Sequence, residues 1–454
     1  MAGTQKYEID MINGPLVGKI IIYAFPLMLS GMLQLAFNAV DLIMVGQFAG
    51  SNALAAVGST SSLINLMVNL FIGLSAGANV LVARFYGANQ KQALKEAVHT
   101  SIAISIIAGV ILIFVGFFCA RPILVLMDTP ADIIDGAAVY MKLYFAGMPI
   151  IMLYNFGSAI LRAVGDTRRP LYYLAVAGIL NIFLNYIFVR YLHLSVAGVA
   201  LGTVLSQLVS TFLLLRALMR AEGAYRLVLS EIRIYKDKLY KMLRIGLPAG
   251  IQSCLFAFSN VLIQSSINSF GASVVAGNTA ATNIEGIVYT GMNAFYQTAL
   301  SFVGQNYGAG KFKRIKKVAV ICVGLVIVVG ILLGNTAILL NKPLLSLYGT
   351  SGEELAYGML RLSIICSTYF LCGIMDVLVG ILRGMGYAIM PMIISLSGAC
   401  LLRIVWIMTI FSHFRTLGVL YASYPVTWTV TASVHFICLL FALRKVKKTL
   451  PFTD

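Results

Sequence analysis

The sequence is short of charge, and shortest of acid. Only 11% of its 454 residues are Asp, Glu, Lys or Arg, and 16 acids face 33 basic residues. An ordinary soluble domain has about a quarter of its residues charged, so no water-soluble globule of this size fits the composition. Cysteine is sparse: Cys119, Cys254, Cys322, Cys366, Cys372, Cys400 and Cys438 all lie in apolar segments without metal-type spacing, and read as small core hydrophobes. There is no ATP-binding loop. The pair Gly310-Lys311 has Gln305 and Phe312 where a Walker motif needs Gly and Ser or Thr. Energy for any work must therefore come from a gradient.

Apolar length is abundant. Hydrophobic residues make up 60% of the chain and the mean hydropathy is +0.91. Twelve stretches are long enough to cross a hydrocarbon core roughly 30 Å thick. They lie near 16–45, 53–82, 98–120, 138–161, 170–190, 196–219, 245–269, 274–303, 318–340, 357–382, 390–411 and 417–443. The chain is also written twice. Tyr86-Gly87-Ala88 returns as Tyr307-Gly308-Ala309, and Leu161-Arg162-Ala163-Val164-Gly165 as Leu382-Arg383-Gly384-Met385-Gly386, both 221 residues on. Pro170 and Pro391 keep that spacing; Pro26 and Pro248 are 222 apart. The expected fold is an all-α membrane protein of twelve transmembrane helices in two six-helix bundles related by a pseudo-two-fold axis along the membrane normal. The expected divisions are an amino-terminal lobe at 1–220, a cytosolic linker at 221–244 and a carboxy-terminal lobe at 245–454. Folds of this kind hold a substrate between their halves and expose it to each side in turn. The first span follows Lys6 and Lys19 but is too long for a signal peptide and lacks a small-x-small cleavage site, so it is expected to be retained.

The net charge of +17 does not imply nucleic acid, because its distribution follows the membrane. With the amino terminus on one side, the even-numbered loops and both tails carry 26 of the 33 Lys and Arg. The odd-numbered loops carry six: Arg121, Lys142, Arg190, Lys342, Arg361 and Arg415; Arg403 lies within a span. The positive-inside rule then places both termini in the cytosol. The Lys311–Lys317 run and the tail around Arg444–Lys448 read as topology determinants, with anionic-lipid binding as the sharper alternative.

Three acids lie well inside spans: Asp41, Glu285 and Asp376. A charge at the bilayer centre costs about 2.5–3.5 kcal/mol on insertion scales, so each must face the interior, find a partner or carry a proton. Gln34, Asn38 and Asp41 sit at i, i+4 and i+7 and share one face of the first helix. Asn181 with Asn185, and Thr203 with Gln207, repeat the i, i+4 spacing on the fifth and sixth spans. Converging, these groups would offer hard oxygen ligands for Na⁺ or a bound proton; inter-helix hydrogen bonding without ion traffic is the alternative. In the second copy, Ile263 or Leu262 stands where Asp41 stood, and Asp376 stands where Asn155 stood. Asp376 suits a cationic substrate or a second ion. Glu285, among Thr279, Thr282, Asn283 and Tyr289, lines a cavity or serves a structural hydrogen bond. Asn260 with Gln264, and Asn293 with Gln297, extend the possible cavity lining.

Other features read as scaffold. Gly73-Leu74-Ser75-Ala76-Gly77 matches a nucleophile-elbow pattern but has no strand before it, and small residues so spaced allow close helix packing. His435 has no ligand-spaced neighbour and reads as structural. Arg403 pairs with a carboxylate or snorkels to an interface; both remain open. Pro26 and Pro248 permit matching bends.

With these residues in view, the chain resembles the multidrug and toxic compound extrusion (MATE) family. The likeness runs from about residue 15 to 445. It rests on the doubled architecture, on Asn38-Ala39-Val40-Asp41 followed by Val45-Gly46, and on the paired Leu-Arg-x-x-Gly motifs. Asn181-x-x-x-Asn185 and Gly198-Val199-Ala200-Leu201-Gly202-Thr203 complete it. The resemblance implies a V-shaped twelve-helix transporter in the plasma membrane, of a bacterium or archaeon, exporting organic, often cationic compounds in exchange for Na⁺ or H⁺. It implies that Asp41 is the cation-coupling acid, grouped with Asn181, Asn185 and Thr203, and that Asp41, Asn181 and Asn185 would hold Na⁺ if Na⁺ couples. Some relatives have Asp at the Asn185 position. Asp376 matches the tenth-helix acid of NorM-like members, whose seventh-helix acid has no clear counterpart here. The expected partners are small organic cations or drugs and membrane lipid, with no nucleic acid, no cofactor beyond the coupling ion, and a monomeric state.

The rival function is a flippase for lipid-linked saccharides, which shares the broader architecture. It would be expected to carry basic residues in its cavity, whereas Arg403 reads as the lone buried base. A membrane-embedded enzyme would need a His/Glu metal motif or a placed nucleophile and base, and neither is found.

Overall fold

The apolar runs fold as helices throughout, because in lipid every backbone N–H and C=O must be satisfied within its own segment. The computed structural model describes residues 7–127 and 129–449; Lys6 and residues 450–454 lie outside the described residues. Among the described residues there is no strand. The helices are α1 (Leu16–Phe48), α2 (Ser51–Gly87), α3 (Lys91–Leu126), α4 (Ala131–Ala146), α5 (Met148–Ala163), α6 (Arg168–Asn185), α7 (Ser195–Met219) and α8 (Lys236–Asn268). There follow α9 (Ala272–Gly308), α10 (Phe312–Leu339), the short α11 (Asn341–Ser346), α12 (Gly352–Thr368), α13 (Phe370–Gly384), α14 (Ile389–Ser395), α15 (Leu402–Trp406) and α16 (Leu417–Thr449). Segments Tyr186–Tyr191, Leu396–Leu401 and Ile407–Phe411 are π-helical.

Among the described residues, nine continuous helical segments are long and apolar enough to span. Two bent pairs make eleven: α4 with α5 at 48°, and α12 with α13 at 45°. The first bend falls at Gly147, where a Cβ would lie 2.3 Å from Val204 Cγ2 of α7. The twelfth is α9, whose 37 residues are too polar to qualify on hydropathy. Its hydroxyls turn back onto its own carbonyls: Thr279 donates to Val275, Thr282 to Asn278, Thr290 to Gly286 and Thr298 to Ala294. With these hydroxyls satisfied along its own length and Glu285 and Asn278 met by Arg361, α9 packs against α10, α12 and α13. The spans thus match the twelve expected, with the seventh starting at Lys236, nine residues earlier than the apolar run suggests.

The chain divides into two compact units. Of the described residues, one unit comprises 7–9 and Leu29–Gly250, and the other Asp10–Met28 and 251–449. In the first unit, α2 and the start of α8 approach through glycines: a Cβ on Gly73 would lie 2.2 Å from Gly250 N, and one on Gly77 2.4 Å from Met242 O. The Gly73–Gly77 segment is therefore a packing surface. The segment expected as a linker is held in this unit, with Lys238 Nζ 2.9 Å from Glu96 and the ring of His99 3.1 Å from Val228 O. In the second unit the start of α1 packs on α9, where Tyr23 donates to Ser301 at 2.8 Å. Arg314 donates to the carbonyls of Met11, Asn13 and Gly14.

The repeated motifs mark matching helix ends. Asn89 and Gly310 both take the left-handed conformation (φ 53° and 71°), as do Gly165 and Gly386 (φ 108° and 88°). After α5, Gly165 N–H donates to Arg162 O and Asp166 N–H to Leu161 O; after α13, Gly386 donates to Arg383 and Tyr387 to Leu382. After α2 and α9 the same pair of bonds recurs at Asn89 and Gln90, and at Gly310 and Lys311. Each is a Schellman turn, which satisfies the last carbonyls of its helix and needs a residue tolerant of positive φ.

Candidate functional site

In the first unit α1, α6 and α7 bring together four of the expected residues. Helix α1 meets α6 at Gly178, where a Cβ would fall 1.8 Å from Phe37 Cζ. Asp41 stands one turn beyond Phe37 and so faces the end of α6. Asn185 Nδ2 donates to Asp41 Oδ1 at 2.6 Å and to Asn181 Oδ1 at 3.4 Å, and Asn181 Nδ2 donates to Thr203 Oγ1 at 3.4 Å. The Thr203 hydroxyl also reaches the Asp41 carboxylate. Glycine at 202 is required here, because a Cβ would lie 2.0 Å from Asn185 Oδ1. Asp41 is half-buried, Asn181 and Asn185 are buried, and among the described residues no basic side chain pairs with Asp41.

Asn185 Oδ1 is enclosed and has no hydrogen-bond partner. With the Asp41 carboxylate, Asn181 Oδ1 and Thr203 Oγ1 it makes a set of hard oxygen donors with one unused buried acceptor. That set fits a proton or Na⁺. Gln34 and Asn38 share helix α1 but are exposed, and neither joins this hydrogen-bonded cluster. Asn155 is also outside it, donating to Ile151 O in its own helix at 2.9 Å.

The second unit arranges its polar residues differently. Glu285 on α9 is buried and receives two hydrogen bonds from Arg361 on α12, Nε to Oε1 and Nη2 to Oε2, both at 2.7 Å. Arg361 Nη1 donates to Asn278 Oδ1 at 2.8 Å. Arg361 was expected among the loop charges; it is instead 4% exposed within α12. Arg403 is likewise not the lone buried base, since Arg361 and Arg383 are also buried. The signal was available: Arg361 falls inside the apolar stretch 357–382, facing the only acid of the eighth span. Asp376 lies on α13 within hydrogen-bond reach of the Tyr289 hydroxyl. Gln264 accepts from Asn278 at 3.3 Å and donates to Asn268 at 2.9 Å, while Asn260 is exposed. Arg383 donates to Tyr296 and Gln252, and the ring of buried His435 meets Ser395 Oγ at 3.0 Å.

The family model MatE matches residues 26–187 and again 248–409, well over half of the chain and 222 residues apart. The chain belongs to the MatE family. Among similar proteins, the probable multidrug resistance protein YoeA of Bacillus subtilis (strain 168) is 28% identical over 434 residues, covering 93% of each chain. The probable multidrug resistance protein YpnP of the same strain is 27% identical over 398 residues, covering 87% of this chain and 88% of that one. A MATE crystal structure in complex with MaL6 superposes with a TM-score of 0.90 at 22% identity, over 99% of this chain and 100% of that chain. MatE membership and the apolar helices make the chain a multi-pass plasma-membrane transporter.

Proposed function

We propose that this MatE protein is a cation-coupled antiporter exporting organic, often cationic compounds across the plasma membrane by alternating access. The observation that carries the reading is the Asp41 carboxylate held by amide and hydroxyl groups with no basic partner among the described residues. The names of YoeA and YpnP, multidrug resistance proteins, support the same class of substrate. A carboxylate neutralised by no fixed charge can exchange companions, which a carboxylate locked to a guanidinium cannot.

Asp41 is the switching group in this reading, with Asn181, Asn185 and Thr203 orienting it. Charged, it attracts a cationic, partly apolar compound into the acidic interior. A proton or Na⁺ held on these oxygens would cancel that charge. Because an ion shifts a conformational equilibrium only through unequal affinity for the two states, the rearrangement of α1 must change how well Asp41 is surrounded. Gln34, Asn38, Asn155, Asn260, Gln264 and Asp376 are the expected cavity lining, with Asp376 the acid best placed for substrate; Glu285, expected with them, is held by Arg361 and leaves the lining. Both termini face the cytosol and the protein works as a monomer. The flippase reading is not favoured: a pyrophosphate calls for several basic groups together, whereas Arg361 is paired with Glu285 and Arg383 is engaged by Tyr296 and Gln252, which leaves Arg403 by itself.

The test is purified protein in liposomes, with ethidium efflux measured under a Na⁺ gradient and under a pH gradient separately. Wild type is expected to respond to one of them, and Asp41→Asn to neither. Gradient-driven efflux by Asp41→Asn at the wild-type rate would refute the reading.

A further inference from the structure

Arg403 is the cation of the second unit that the mechanism above leaves unused. It sits on α15, a single turn of α-helix framed by the π-helical segments Leu396–Leu401 and Ile407–Phe411. Such insertions displace a helix from regular geometry and recur at binding sites. The side chain is 5% exposed, yet its one hydrogen bond runs from Nη2 to the neutral Thr427 Oγ1 at 3.1 Å. Nε is enclosed with no partner. The ionisable groups that act on it most strongly are Tyr424, Cys372, Cys400 and Arg361, and among the described residues no carboxylate forms an ion pair with it. It therefore neither pairs with an acid nor snorkels to an interface.

The other two buried arginines of this unit have more to hold them. Arg361 has both oxygens of Glu285, and Arg383, whose Nε is likewise unpartnered, gives both outer nitrogens to Tyr296 and Gln252 near the carbonyl end of α13 and interacts with the charge of Asp376. A buried guanidinium without a counter-charge is costly in a membrane protein, and such residues mark substrate or ion pathways.

Arg403 also ends a row of rings. Its guanidinium carbon lies 4.2 Å from the centroid of Tyr424. Tyr424 meets Trp428 at 5.5 Å, Trp428 stacks on Tyr369 at 5.2 Å, and Tyr369 meets Tyr289 at 6.4 Å. Tyr289, at the far end, is the residue whose hydroxyl reaches Asp376. The rings of Tyr289, Tyr369 and Tyr424 are all partly exposed. An uncompensated cation and an acid thus terminate one aromatic wall.

We infer that the second unit binds flat aromatic compounds carrying an anionic group, taken by Arg403, together with a basic group drawn to Asp376. The inference rests on the export reading and narrows it from organic cations to compounds of mixed charge. Stacking on the rings accepts the flat body without regard to charge, while the planar fork of Arg403 suits a carboxylate.

Rhodamine 110 and its methyl ester rhodamine 123 differ only in whether the carboxylate is free, so they isolate this contact. Binding of each dye to purified wild type is measured by fluorescence polarisation. Wild type is expected to bind rhodamine 110 at least about tenfold tighter than the ester, the smallest return of a charge-assisted hydrogen bond. Arg403→Gln is expected to erase the preference and Arg403→Lys to retain part of it. Equal affinity of wild type for both dyes, or tighter binding of the ester, overturns the inference without recourse to any variant. Gradient-driven efflux of either dye from liposomes separates the two readings: a protein that binds with this preference but moves neither dye sinks the export reading alone.

Discussion

Asp41 and Glu285 are both intramembrane acids, one in each unit, and their surroundings are opposite. Asp41 meets amides and a hydroxyl, whereas Glu285 is held at both oxygens by Arg361. Counting back 221 residues from Glu285 and Arg361 leads to Ile64 and Tyr140, two members of the apolar core of the first unit. Counting forward from Asn181 and Asn185 leads to Leu402 and Trp406. At these four positions each unit is apolar where the other is polar. A matched pair of charges in a buried place is a structural commitment, because removing one partner strands the other. A lone acid among neutral donors tolerates its own neutralisation, and that is the property a coupling group needs.

The comparison breaks most visibly through stability. Glu285→Gln should destabilise the protein by about 3–5 kcal/mol by stranding Arg361, read as a large drop in thermal unfolding temperature in detergent. Asp41→Asn should unfold within about 1 kcal/mol of wild type. If the two variants changed places in that assay, the division into locked and exchangeable acids would be wrong. A sharper form replaces both partners, Glu285→Leu with Arg361→Leu, which should recover most of the stability lost by the single change. The next largest effect is Gly202→Ala, whose methyl group must push Asn185 off Asp41. Transport should fall by about tenfold or more and stability by about 1–3 kcal/mol. Gly286→Ala, with nothing within 4 Å of the new carbon, is the companion that should change neither. The smallest effect tests the shared turns. Gly310→Asn reproduces what the first unit has at Asn89, and should cost only a few tenths of a kcal/mol, against about 1 kcal/mol for Gly310→Ala.

All twelve spans were legible as apolar length, and the doubling as repeated turn motifs. Helix α9 was the least legible because its polarity is answered by its own carbonyls and by burial, neither of which hydropathy registers. The break at Gly147 has its signal in Pro149, which cannot continue the hydrogen-bond ladder of the preceding helix, whereas the break at Tyr369 left no mark in the apolar pattern. The contacts among Asp41, Asn181, Asn185 and Thr203 followed from i, i+4 spacing joined to the MATE resemblance. The same spacing argument put Gln34 and Asn38 beside Asp41 on α1, yet neither joins its cluster. Arg361 was missed because a tally of basic residues by loop treats position as exposure, and its partner lies 76 residues away in the chain.

The Schellman turns at Asn89, Gly165, Gly310 and Gly386 give the halves identical punctuation around different vocabulary. After an ancestral duplication, chain reversal points are the hardest thing to change, since an error there misdirects every residue downstream. What a helix displays along its sides can drift one position at a time. One copy was thus free to specialise in an exchangeable acid while its twin acquired a locked ion pair and an unaccompanied arginine, with no alteration to where either chain turns.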